Sequence, residues 1–112
     1  MRNLTKASLL LGSAVFVSTA DIASQRAEDG RRVYMSACAH CHDSGVNGAP
    51  ITGQTKDWAD RSHLWEAVLF EHANQGFLRM PSKGGNQDLS GYDVGVAAEY
   101  MLNVSHPDLP TD

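Results

Sequence analysis

The chain has 112 residues, 42% of them hydrophobic, with a formal net charge of −4 and two cysteines. That length supports one small domain, and the acidic balance argues against nucleic acid as a partner. Two cysteines are too few for a disulfide framework.

Taken in order, Arg2 and Lys6 precede an apolar run from Ala7 to Val17 and then the small residues Ser18-Thr19-Ala20. This is the pattern of a secretory signal, and cleavage after Ala20 fits better than cleavage after Ala23, which would place Asp21 where a small side chain is wanted. A retained membrane anchor is the alternative, but the run is well short of the ~20 residues that span a bilayer. Residues 1–20 therefore read as a signal peptide, and residues 21–112 as one exported, periplasmic domain with its core at about 27–103. The mature part carries seven Lys and Arg against thirteen Asp and Glu, a net of −6.

From about Ser24 to His42 the spacing predicts a helix with acids in its first turn. Gly30 and Tyr34 share a face, where glycine either admits a close helical neighbour or is only a weak spot. The helix delivers Cys38-Ala39-His40-Cys41-His42. Two thiols and an imidazole at this spacing match a c-type haem attachment site, with thioethers from Cys38 and Cys41 and His42 as proximal iron ligand. A zinc site would need four protein ligands, and His63, His72 and His106 form no close-set pair. A thioredoxin-like redox pair lacks the alternation of strand and helix and leaves His42 without a task.

Asp43 to Arg61 breaks every period with Gly45, Gly48, Pro50 and Gly53 and is expected to be a loop around one haem edge. The Pro50 carbonyl is a candidate acceptor for the second ring nitrogen of His42. The Trp58 indole N–H and the Arg61 guanidinium are candidates to hydrogen-bond a haem propionate. Core packing for Trp58 and a solvated charge for Arg61 are the other readings. Residues 62–75 read as a second helix with Leu64, Val68 and His72 on one face and Gly76 as its cap. In the loop Phe77 to Gln87, Pro81 holds the backbone of Met80 extended, so the loop can present a thioether. The last helix opens on the capping pattern Ser90-Gly91-Tyr92-Asp93 and carries an apolar stripe of Val94, Ala97, Ala98, Met101 and Leu102. Ala97 and Tyr100 are expected near Gly30 and Tyr34, and the tail from Asn103, with Pro107 and Pro110, is expected to fray.

This order of haem motif, glycine and proline loop, helix, methionine-proline loop and final helix resembles the small class I cytochromes c over Gly30 to Leu102. Within them Gly45-Val46-Asn47-Gly48-Ala49-Pro50, Trp58-Ala59-Asp60-Arg61, His72-Ala73-Asn74-Gln75-Gly76-Phe77 and Met80-Pro81-Ser82-Lys83-Gly84-Gly85 look like the bacterial cytochrome c-five group. The resemblance implies an all-α fold, three main helices and long loops around one covalent haem c, with His42 and Met80 as axial ligands. Many members carry a second cysteine pair where this chain has Gly84-Gly85-Asn86-Gln87. Among the methionines, Met35 should share the face of His42 if the helix is continuous, and Met101 belongs to the apolar stripe, which leaves Met80 for the iron.

An iron bound by one imidazole and one thioether is coordinatively full and passes electrons, with no general base or nucleophile required. The chain thus reads as an electron carrier and not an enzyme. It is expected to be a monomer that exchanges electrons with an upstream dehydrogenase or quinol-oxidising complex and a downstream oxidase or reductase. Its acidic surface would steer basic partners. A dedicated electron-transfer subunit of a periplasmic dehydrogenase is the alternative, followed by a haem gas sensor or weak peroxidase.

Overall fold

The computed structural model describes residues 12–59 and 66–106. Arg61, His63, the expected start of the second helix at residues 62–65, the basic end of the leader with Arg2 and Lys6, and the tail prolines Pro107 and Pro110 lie outside the described residues.

Ser18 caps the first helix, its hydroxyl accepting from the Asp21 backbone N–H at 3.2 Å. Helix α1 spans Thr19–Val33. The sequence predicts one uninterrupted helix to His42, but the chain widens into a π turn at Tyr34–Cys38 before closing as α2, Ala39–His42. Ala39 N–H reaches back to the Tyr34 carbonyl, and the Ser36 hydroxyl donates to the Val33 carbonyl at 3.0 Å. Serine bonding to the preceding turn competes with the regular ladder and helps bend it. A residue is thereby inserted between the face that packs and the face that carries the cysteines.

The expected 43–61 loop is less irregular than its glycines suggest. It contains a 3₁₀ turn at Val46–Gly48 and a one-turn helix, α3, at Thr55–Trp58. Helix α4 spans Glu66–Gln75 and ends on Gly76, whose φ of 89° and N–H bonded to the His72 carbonyl at 2.9 Å close the last turn. Its inward face differs from the expected one by a residue: Ala73 is buried and Leu69 half-buried, whereas Val68 is exposed. Helix α5 spans Gly91–Ser105 and opens on a complete capping box of Ser90 and Asp93. It does not fray at Asn103. Ser105 is fully buried, accepting from Gly53 N–H at 3.1 Å while its carbonyl accepts from the Thr55 hydroxyl at 2.8 Å. No strand occurs among the described residues, only the isolated bridge of Phe77 with Met80.

The frame is the crossing of α1 on α5, possible because Gly30 has no side chain: a Cβ there would lie 2.2 Å from the Val96 carbonyl oxygen. Tyr34 and Tyr100 pack beside it, their rings tilted 45° to each other with centroids 5.1 Å apart. Arg26 grips Glu99 through two bonds, of 2.5 and 3.2 Å, and its guanidinium lies 5.4 Å from the centre of the Tyr92 ring. The core stripe contains Val94, Ala97, Ala98 and Met101 as the periodicity predicts, and Val96 as well.

Tyr34 is buried and its hydroxyl donates to the Asp43 carboxylate. Burial first, and that carboxylate second, push its pKa up to about 12 from 10. The folded state therefore keeps a proton that the unfolded chain releases above pH 10, so this contribution to stability is complete below pH 10 and is lost as pH rises through 12. Tyr34→Phe is expected to flatten the fall in urea-unfolding stability between pH 10 and 12, and an unchanged slope would remove Tyr34 as its source.

Candidate functional site

The π turn, α2, the 43–58 segment, α4, the methionine loop and α5 enclose a cavity of about 820 Å³. Its lining includes Cys38, Cys41, His42, Pro50, Trp58 and Met80, with Leu69, Ala98, Met101 and Leu102 among its apolar walls. The volume falls within the range of cofactor sites, roughly 300–1,000 Å³. Both cysteines are free thiols, half-buried at the wall, and burial pushes the Cys38 thiol up to about 11. Among the described residues no group of three or more His, Cys, Asp or Glu side chains is placed to hold a metal ion by itself.

His42 is buried, and its Nδ1 lies 2.8 Å from the Pro50 carbonyl oxygen. A carbonyl only accepts, so Nδ1 carries the proton and donates, leaving Nε2 with its lone pair free for a metal. The same segment is fastened by Thr52 N–H to the His42 carbonyl at 2.8 Å and by Ile51 N–H to Asp57 at 3.1 Å. The Trp58 indole packs near His42, ring centroids 6.2 Å apart. Its N–H donates to the Ile51 carbonyl at 2.9 Å, which corrects the expected bond to a propionate: the indole's one donor is engaged within the fold, and Trp58 serves as cavity wall. Arg61 lies outside the described residues.

Met80 stands in a tight hairpin, exchanging both backbone hydrogen bonds with Phe77 at 2.9 and 3.0 Å. Phe77 in turn lies flat on His72, ring centroids 3.7 Å apart and planes within 5°. After Met80 the loop is pinned by Ser82, whose hydroxyl donates to the Asn74 carbonyl at 2.7 Å, and by Lys83, whose ammonium donates to the Leu89 carbonyl at 2.8 Å. Gly84, with φ of 63°, meets the π turn so closely that a Cβ would lie 2.7 Å from the Ala37 carbonyl oxygen. Where many cytochromes of the c-five group have a cysteine pair, this chain thus holds its methionine loop by hydrogen bonds and close backbone contact. Met35 is 59% exposed and Met101 is buried in the α5 core as well as reaching the cavity wall. Solvent exposure sets Met35 aside, rather than the shared helical face expected for a continuous helix, because the π turn breaks that register.

The residues present fit a covalent haem: two free thiols and an imidazole with an open nitrogen stand on one wall, and a thioether belongs to the same apolar lining. Sequence reasoning missed the contributions of Leu69, Ala73 and Phe77 to this lining, since they are non-local contacts that no spacing announces.

Comparison with known proteins agrees. The profile of a family described as cytochrome C oxidase, cbb3-type, subunit III, matches residues 25–101. A cytochrome c-555 of Prosthecochloris aestuarii is 37% identical over 95 residues, which cover 78% of this chain and 96% of that protein. A cytochrome c-551 of Halorhodospira halophila is 40% identical over 80 residues, 67% of this chain and 97% of that protein. A cytochrome c5 of Ectopseudomonas mendocina is 33% identical over 66 residues, 57% of this chain and 76% of that protein. Among solved structures, a cytochrome c in an electron transfer complex with nitrite reductase superimposes with a TM-score of 0.65 at 31% identity, covering 69% of this chain and 94% of that one.

Proposed function

The chain belongs to the class I monohaem cytochromes c, and from that premise we propose that Cys38 and Cys41 would attach its haem c and that His42 and Met80 would hold the iron. The protein is an electron carrier and not an enzyme. When bound, the haem supplies an iron that alternates between two oxidation states without opening a coordination position.

The observation that carries the ligand assignment is the bond from His42 Nδ1 to the Pro50 carbonyl, 2.8 Å long. It fixes the tautomer that leaves Nε2 for the metal and holds the ring in one orientation. The second ligand would be Met80, set on a hairpin whose backbone bonds to Phe77 hold it in place whatever its side chain does. A soft thioether favours the reduced iron and raises the potential over that of two imidazoles. The walls of Trp58, Leu69 and Leu102 keep water from the site.

We further propose that the carrier works in the periplasm after removal of residues 1–20, and that its partners are periplasmic redox enzymes. Val15, Phe16 and Val17 are all exposed, so the fold does not bury the apolar end of the leader. No described helix is long and apolar enough to cross a membrane. The solved relative's complex with nitrite reductase makes a reductase of that kind a reasonable terminal acceptor. Intact mass of the periplasmic protein should correspond to a chain beginning at or near Asp21, and a mass retaining residues 1–20 would make the carrier a tethered one.

The test of attachment is chemical. Holoprotein from a host that matures c-type haem should keep its haem through acid-solvent extraction, and the Cys38→Ala/Cys41→Ala double variant should release it. Haem that stays covalently bound in the double variant would remove these cysteines from the role.

A further inference from the structure

Gly84 and Gly85 are neighbours in the chain and both have a left-handed backbone, with φ of 63° and 89°, but they stand in different surroundings. A Cβ on Gly85 would meet nothing within 4 Å, so its backbone angle alone accounts for glycine there. A Cβ on Gly84 would lie 2.7 Å from the Ala37 carbonyl oxygen and 3.6 Å from its carbon. Asparagine also tolerates an angle near 60°. At position 84 it is the contact, more than the angle, that demands glycine.

The contact joins two parts of the cavity wall, since Ala37 and Gly84 both line it. Ala37 is buried in the π turn and is the last residue before Cys38. Gly84 is the far end of a short, stiff piece that begins at Met80. Pro81 has its φ fixed by its ring, and its carbonyl accepts from Gly84 N–H at 3.2 Å. Between them the Ser82 hydroxyl is tied to the Asn74 carbonyl and the Lys83 ammonium to the Leu89 carbonyl. On the other flank a Cβ at Gly76 would lie 3.1 Å from the Met80 carbonyl oxygen and 3.0 Å from the Ser82 nitrogen. The piece is therefore seated between two backbone surfaces, the end of α4 and the π turn, and a displacement at Gly84 is passed along it to Met80.

We propose that Gly84 is a positioning residue for the Met80 thioether: resting on the Ala37 carbonyl, it sets how far the methionine loop advances over the cavity and so how firmly the sulfur is held on the iron. The inference rests on the reading of Met80 as iron ligand. A Cβ at position 84 forces the two backbones apart. Ala37 is buried in the wall, whereas Gly84 is half-buried and Gly85 exposed, so the loop yields and carries the thioether with it. Oxidised iron holds a soft sulfur less firmly than reduced iron does. The displaced loop therefore releases the sulfur first in the oxidised protein, which relieves that state and not the reduced one, and the potential falls.

The test is titration of oxidised holoprotein with imidazole, a small ligand that must displace the thioether to bind. In Gly84→Ala and in Gly84→Asn, which keeps the Cβ while easing the angle, the apparent affinity for imidazole should rise about tenfold or more. The sulfur-to-iron band should weaken and the midpoint potential fall, with the haem still covalently attached. Gly85→Ala imposes backbone strain without the contact and should keep the wild-type affinity and potential, although its unfolding midpoint drops. Wild-type affinity in both Gly84 variants overturns the proposal. So does an equal rise in Gly85→Ala, which would make general loosening of the loop the cause, and so do Gly84 variants that fold without retaining haem or do not fold, which would place the contact in the scaffold. Failure of the ligand reading would look different: the wild-type oxidised protein would itself lack the band and bind imidazole as readily as the variants.

Discussion

Met80→Ala is expected to abolish the sulfur-to-iron charge-transfer band of the oxidised protein, to lower the reduction potential, and to let the reduced iron bind carbon monoxide. The fall in potential should be a sizeable part of the roughly 0.8 V over which axial ligands set haem potentials. The scaffold should survive the change. Met80 is only half-buried, so the variant loses less than the about 2–5 kcal/mol of a fully buried methionine. The bonds that shape the loop come from the backbone of residues 77 and 80 and from Ser82 and Lys83, none of which the substitution touches. Spectrum, potential and ligand binding should therefore change together in a folded protein. A variant that kept its band and its potential would show that another group holds the iron, and Met80 would have to be withdrawn as ligand.

The second large effect falls far from the iron. Gly30→Ala places a Cβ 2.2 Å from the Val96 carbonyl oxygen, 2.9 Å from its carbon and 3.1 Å from Tyr100 Cβ. Two of these neighbours are backbone, which cannot swing aside, so α1 and α5 must separate. Overpacking of this kind costs up to about 3 kcal/mol, and more where nothing yields. The better helix propensity of alanine returns only about 1 kcal/mol. The clash wins, and the net loss is a large fraction of the stability of a small domain, about 5–15 kcal/mol. Urea unfolding of the holoprotein should show a midpoint markedly below that of the wild type. An equal or higher midpoint would mean that the helices cross with more room than this contact implies.

What was legible in the sequence was whatever is written in local spacing. The motif at residues 38–42, the stripe on the last helix, the capping pair Ser90 and Asp93 and the cap at Gly76 are all periodic or adjacent features, and the structure contains them. Gly30 could be read two ways until the helix it faces was in place. The π turn was not legible, because its five residues are ordinary helix formers and the widening depends on where the helix must deliver its cysteines. The Trp58 bond went to Ile51 for a related reason: a donor's partner is chosen by the course of the whole loop. Nothing in spacing told Val96 or Ser105 from their neighbours, yet both are fully buried, since α5 is covered on more than one side. Gly84 and Gly85 read alike in sequence, and only the carbonyl of Ala37 sets them apart.

The π turn between Val33 and Ala39 also sets what kinds of genetic change this segment can absorb. Each residue added to or removed from a helix turns everything beyond it by about 100° and shifts it by about 1.5 Å. Losing the single codon of Ser36 would let the helix close into a regular ladder, an apparent improvement, while swinging Cys41 and His42 away from Pro50 and the loop that embraces them. Lineages descending from this protein should therefore vary freely in identity at exposed Met35 and hold the segment's length constant, so that aligned sequences show substitutions here without gaps.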